Sequence, residues 1–175
     1  MLIAISGQPH SGKTTLLKNC IEKRANSGVK SWGFWTEEIK DLSQPSQRSG
    51  FKLLDASGSD CVLASVDIQE EPRVSRYGVD LDSLNSFLSK LRDPLPGELV
   101  YIDEIGEMEM LSDPFPGLVR RWEQDSDHLI VTLSEVFADP LIDELKERAD
   151  LLVRISKENR NSAADELDDW IKHLK

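Results

Sequence analysis

The string Gly7-Gln8-Pro9-His10-Ser11-Gly12-Lys13-Thr14 fills every fixed position of the Walker A pattern G-x-x-x-x-G-K-[ST]. Residues of these types at this spacing suit phosphate chemistry. The glycines let backbone N–H groups converge on a phosphate, and a helix beginning inside the string adds the positive end of its dipole. Lys13 carries a point charge that can reach β- and γ-phosphate oxygens. The Thr14 hydroxyl is the oxygen ligand that Mg2+ takes in such loops, and Thr15 continues the cradle. The run Leu2-Ile3-Ala4-Ile5-Ser6 leads into the string and a helical pattern leads out. Strand, loop and helix therefore follow in the order that a phosphate loop needs.

A second group of residues supplies the rest of a reaction centre. Asp103 follows the apolar residues Leu99-Val100-Tyr101-Ile102, the Walker B pattern, and is expected to hold Mg2+ directly or through water. Glu104 comes next. A carboxylate there is placed to polarise an attacking water, unless it is only a solvated charge at a strand end. Kinases of small acceptors use a substrate hydroxyl and do not need this group, so Asp103-Glu104 favours hydrolysis. A P-loop kinase and a nucleotide-gated protein-binding adaptor remain the alternatives. Glu107 and Glu109 extend an acidic run whose members either approach the metal or are solvated or paired structurally. Asp103-Glu104-Ile105-Gly106 also fits D-x-x-G, but no N-K-x-D string follows to read guanine. Arg48, Arg73 and Arg76 are the cations available to neutralise transition-state charge. Arg48 is expected in a polar loop, the place of an arginine finger. Asn159 and Arg160 follow the last predicted strand and are expected either beside the nucleobase, holding several bases by adaptable contacts, or as a cap on the following helix and a solvated charge.

Positioning these groups takes an alternation of strands and helices. The first helix is expected over 15–27, closed by Gly28, and a strand over 30–39. A polar loop covers 41–49. Two short strands, 50–55 and 61–66, flank the turn Ser57-Gly58-Ser59-Asp60 and form a β-hairpin insertion at about 41–66. A helix over 80–91 opens on Asp80 and carries Leu81, Leu84, Leu88 and Leu91 on one face. Strands are expected at 99–102, 128–133 and 151–155, with helices near 114–124, 140–148 and 160–174. The pattern describes one α/β domain over 1–175, a mostly parallel sheet with helices on both faces. In such sheets ligands lie at the carboxyl ends of strands, where both Gly7 and Asp103 fall.

Composition narrows the partners. A net charge of −11 argues against a broad nucleic-acid footprint, which needs a basic face. It leaves nucleotide binding open, because loop amides, Lys13 and Mg2+ supply local positive charge. No stretch has the apolar length of a membrane span. Met1 enters the first strand at once, leaving no room for a signal peptide. Cys20 and Cys61 show no metal spacing and are expected as buried, reduced thiols, which fits a cytoplasmic protein. Trp32 and Trp35 are expected in or near the core.

Taken together these residues resemble the THEP-type nucleoside-triphosphatase family, whose animal members are the cancer-related nucleoside-triphosphatases. The resemblance rests on residues 7–14, Gly33-Phe34-Trp35-Thr36-Glu37, Arg48-Ser49-Gly50-Phe51, Leu63-Ala64, Arg76-Tyr77-Gly78-Val79, Asp103-Glu104-Ile105-Gly106-Glu107-Met108-Glu109 and Asn159-Arg160. It implies a RecA-like P-loop domain that hydrolyses several nucleoside triphosphates to diphosphates with Mg2+. It implies phosphate binding by residues 7–14, and metal and water handling by Asp103 and Glu104. The chain departs from the family pattern at Glu107, where Lys is usual.

Overall fold

Among the described residues, five parallel strands and four antiparallel ones share a single sheet. The computed structural model describes residues 1–41, 43 and 47–172. The elements are β1 (Leu2–Gly7), α1 (Lys13–Asn26), β2 (Ser31–Lys40), β3 (Arg48–Asp55), β4 (Asp60–Ser65), β5 (Arg73–Val74), β6 (Tyr77–Val79), α2 (Leu81–Lys90), β7 (Leu99–Ile105), α3 (Glu107–Met110), α4 (Pro114–Asp125), β8 (His128–Ser134), α5 (Pro140–Arg148), β9 (Leu151–Arg154) and α6 (Arg160–Ile171). The strand order is β5-β6-β4-β3-β2-β7-β8-β1-β9. Pairings within β2-β7-β8-β1-β9 are parallel, so all five strands point their carboxyl ends to one edge. From β2 outward the pairings β2-β3, β3-β4, β4-β6 and β6-β5 are antiparallel.

Alternation along the parallel strands divides the core between two faces. Ile3, Ile5, Leu99, Tyr101 and Ile130 pack with Leu16, Leu17 and Cys20 of α1 and with Ala163, Leu167 and Ile171 of α6. Leu2, Ala4, Val100, Ile102, Leu129 and Val131 pack on the other side with residues of α2, α4 and α5, among them Phe87, Trp122 and Ile142. Buried on both faces, these strands read as continuous apolar runs, which is why their sequences mark them clearly.

The sequence-based expectations hold for the parallel sheet and its major helices, with boundaries moved by a few residues. β7 runs on to Ile105 and takes in Asp103 and Glu104. α2 has its predicted cap, with the Asp80 side chain accepting from Ser83 N at 2.9 Å. The expected hairpin joins the sheet through β3, which pairs with β2 over Phe34–Lys40 and extends it. Other features differ. Short strands β5 and β6 were not expected; each is three residues or fewer, too short for a period-2 pattern to register. Arg48 and Ser49 belong to β3 rather than to the loop expected over 41–49. Part of that loop, and the end of the helix expected over 160–174, lie outside the described residues.

Candidate active site

Gly7 ends β1, and the chain passes through residues 8–12 before α1 starts at Lys13. The loop turns through two left-handed residues, His10 (φ 64°) and Gly12 (φ 113°), and closes with Ser11 N donating to Gln8 O at 3.1 Å. Gly7 has no room for a side chain, since a Cβ there would lie 2.4 Å from Ile155 O at the end of β9. Lys13 is 6% exposed, and its Nζ donates to Gly7 O at 2.9 Å and to Gln8 O at 3.4 Å. The same Nζ lies 3.3 Å from Glu104 Oε2. Sequence residues 91 positions apart thus meet because β1 and β7 both flank β8 and end on one edge.

Asp103 is fully buried beneath this pair. Its Oδ1 accepts from the Thr132 hydroxyl on β8, and the Thr14 hydroxyl lies beside the carboxylate. Among the described residues its Oδ2 has no hydrogen-bond partner. Burial pushes the Asp103 carboxyl above the usual range, against the pull of Thr132, Thr14 and the lysines 13 and 18. Glu104 is also held high, by burial foremost, with Lys13 opposing and Asp103 reinforcing. Unlike Asp103 it keeps partial exposure, at 29% of its side chain, so it can face a ligand.

Glu109 is the residue that sequence reasoning undervalued. It is buried on the short helix α3, and burial together with the Glu104 charge pushes its carboxyl up to about 8. Thr36 on β2 donates to Asp103 O at 3.0 Å and contacts Glu109 Oε1 at 3.4 Å. Gly106 separates the two glutamates: a Cβ there would lie 3.2 Å from Glu109 Oε2 and 3.5 Å from Glu104 Oε1. Thr132 on β8 was also missed, although a hydroxyl inside the run Leu129-Ile130-Val131-Thr132-Leu133 signals it. Such a residue in a buried strand needs a polar partner, which here is Asp103.

A cleft of about 930 Å³ opens over these groups. Its lining includes the loop residues Pro9, His10 and Gly12, with Thr14, Thr15, Ile155 and Arg160. It also includes Arg48, Phe51, Val74, Val136 and Phe137, and the acids Glu104, Glu107 and Glu109. The predicted cations divide. Arg48 lines the cleft, its Nη1 3.1 Å from Glu38 Oε1, an oxygen that is also 4.0 Å from His10 Nδ1. Arg73 and Arg76 are outside the lining and donate to backbone carbonyls, Arg73 to Ile68 O and Arg76 O, Arg76 to Arg48 O. Asn159 is likewise outside it. Its Oδ1 accepts from Ser156 N at 2.7 Å and its Nδ2 donates to Arg154 O at 2.8 Å. It thus braces the turn into α6. Arg160 does reach the cleft, but through the phosphate loop, donating to Ser11 O and His10 O.

The remaining expectations concern the surroundings. Cys20 and Cys61 are free, the first buried and the second half-buried, and burial pushes their thiols up to about 12 and about 11. Trp32 is buried, while Trp35 is half-buried and stacks on Tyr101 at 5.5 Å. Among the described residues no helix is long and apolar enough to cross a membrane.

A glycine loop between the first strand and helix, with an acid at the end of a nearby parallel strand, defines a P-loop NTPase fold. The family model described as NTPase matches residues 2–167, and the chain belongs to the THEP-type nucleoside-triphosphatase family. Nucleoside-triphosphatase THEP1 of Thermotoga sp. strain RQ2 is 34% identical over 170 residues, spanning 95% of this chain and 93% of that protein. The human cancer-related nucleoside-triphosphatase is 36% identical over 174 residues, spanning 91% and 90%. The crystal structure of THEP1 from Aquifex aeolicus superposes with a TM-score of 0.78 at 27% identity, covering 99% of this chain and all of that one.

Proposed function

We infer that this chain hydrolyses nucleoside 5'-triphosphates to diphosphate and inorganic phosphate, with Mg2+ and with broad tolerance of the base, ATP, GTP, CTP and UTP included. The observation that carries the reading is the meeting of Lys13 and Glu104 at 3.3 Å at the mouth of the phosphate loop. A cation for the β/γ oxygens and a base for water are then within one ligand's reach of each other. Membership in a family whose relatives are named nucleoside-triphosphatases supports it.

In this mechanism residues 7–14 cradle the polyphosphate and Lys13 moves from the loop carbonyls onto its oxygens. Glu104 accepts a proton from water as the water oxygen bonds to the γ-phosphorus and the bond to the β–γ bridging oxygen breaks. A carboxyl raised above its ordinary value is a better base near neutral pH than a free one. Thr14 and Asp103 would hold Mg2+; an oxygen donor set with an unpartnered buried Asp103 Oδ2 suits that hard cation. Bound there, the metal would neutralise phosphate charge. Asn159 and Arg160 spend their polar groups on the turn into α6 and on the phosphate loop, which supports breadth.

The test is phosphate release by pure protein from the four triphosphates, with and without Mg2+, alongside Glu104→Gln. Wild type should release phosphate unaided by a partner, with kcat/KM values within about 100-fold across bases. Glu104→Gln should bind normally and turn over about 10²–10⁴ more slowly. Full-rate hydrolysis by that variant refutes the water-activating role, and phosphate passed only to an added acceptor would make the chain a kinase.

A further inference from the structure

Arg160 opens α6, yet its guanidinium serves the other end of the chain. Nε donates to Ser11 O at 2.7 Å and Nη2 donates to His10 O at 2.9 Å. These are consecutive carbonyls of the phosphate loop. A trans peptide is planar, so the N–H that follows each carbonyl points the opposite way. Drawing His10 C=O and Ser11 C=O toward Arg160 turns Ser11 N–H and Gly12 N–H away from it. Ser11 N–H there closes the loop onto Gln8 O.

The conformation so held is one the loop would not keep cheaply alone. His10 bears a side chain at φ 64°, a left-handed geometry that residues with a Cβ rarely adopt. Two features fit Arg160 to this task. Gly12 lets the guanidinium come close, since a Cβ there would lie 3.3 Å from Arg160 Nε. The Asn159 brace fixes the turn from which Arg160 projects. A planar fork matches two successive carbonyls, whereas a lysine offers a single point of charge.

We propose that Arg160 is a positioning residue that sets the phosphate loop for polyphosphate binding and does not read the nucleobase. This rests on the reading of the loop as a nucleotide site. It follows that Arg160 contributes equally to every ligand carrying a diphosphate, whatever the base, and to pyrophosphate with no base at all.

The experiment titrates ADP, GDP, CDP, UDP and inorganic pyrophosphate into the full chain and its variants by calorimetry, and measures triphosphate hydrolysis. Arg160→Ala should weaken all five ligands by one common factor of about 10–100, the loss of one to two charge-assisted hydrogen bonds. KM should rise in step while kcat changes by less than about threefold, the signature of lost uniform binding. Arg160→Lys should recover little. Should Arg160→Ala fail to fold, Arg160→Lys and Arg160→Gln carry the same five-ligand comparison. A factor that differs more than about tenfold among bases, or pyrophosphate left untouched, makes Arg160 a base contact and overturns the proposal. Unchanged affinity for all five overturns it too. Wild type that binds diphosphates yet hydrolyses no triphosphate would fail the proposed activity and leave Arg160 standing. Wild type that binds none of the five defeats both.

Discussion

The two halves of the sheet are built differently and do different work. In the parallel half every residue of β1 is buried, and β8 is buried from Leu129 to Ser134. In the antiparallel half β3 and β4 are buried only at intervals and keep solvent on one side. The first half brings Lys13, Asp103, Glu104 and Thr132 together within a rigid core. The second supplies a wall of the cleft, through Arg48, Phe51 and Val74, whose one charged group is already paired. A site that must hold phosphate charge away from water is better built on strands that cannot move. On this comparison the proposed chemistry belongs to the parallel edge and only shaping to the antiparallel one.

The largest effect should come from the parallel half. Lys13→Ala removes a buried cation that faces both the loop carbonyls and Glu104. With charge-assisted contacts contributing about 1.5–3 kcal/mol each, kcat/KM for triphosphates should fall by about 10²–10⁴. Steady-state phosphate release measures it. Turnover near wild type would detach the activity from the parallel edge altogether.

A smaller effect tests the buried acid between the two halves. Glu109 has a folded-state value of about 8 against an ordinary 4.5. Between those values the folded chain keeps a proton that the unfolded chain has released. Glu109 therefore lowers stability progressively as pH rises from about 4.5 to 8, by at most about 1.4 kcal/mol per pH unit. Glu109→Gln is neutral at every pH and should unfold at higher urea than wild type, by a margin that widens from pH 6 to pH 8. Asp103 and Glu104 are raised as well, so some slope of the same sign should survive in the variant. A margin independent of pH would mean that Glu109 is ionised in the fold.

How much of this was legible follows the same division. The parallel strands and the glycine loop could be read directly, because double-sided burial and fixed motif spacing leave strong local marks. Asp103 and Glu104 were visible as the end of an apolar run. The pairing of β3 onto β2 was not, since a hairpin's sequence does not say which edge it joins. Glu109 was seen only as one more acid, because its burial depends on α3 folding back beneath Gly106. Arg160 was placed either beside a base, from strand topology and the missing N-K-x-D string, or in solvent. Its contacts are with residues 149 and 150 positions earlier, and no local pattern carries such a pairing.

The smallest effect should be at Arg48, the cation whose expected loop position suited an arginine finger. Its guanidinium sits 3.1 Å from Glu38 Oε1, with Arg48 34% and Glu38 43% exposed at their side chains. The pair offers the cleft little net charge, and His10 leans on the same oxygen at 4.0 Å. Exposed pairs of this kind contribute about 0–1 kcal/mol, and the approach of Arg48 to the Phe51 ring, at 5.6 Å, adds an amount of similar size. Arg48→Ala should therefore lower stability by no more than about 2 kcal/mol, the sum of the two contacts. It should change kcat by less than about threefold, far from the 10³–10⁵ that an arginine finger supplies. Chemical denaturation and phosphate release read the two quantities separately. A kcat loss above about a hundredfold with stability intact would show that Arg48 leaves Glu38 for the phosphates during turnover. The antiparallel half would then be catalytic, and the division between the two halves would fail at its boundary.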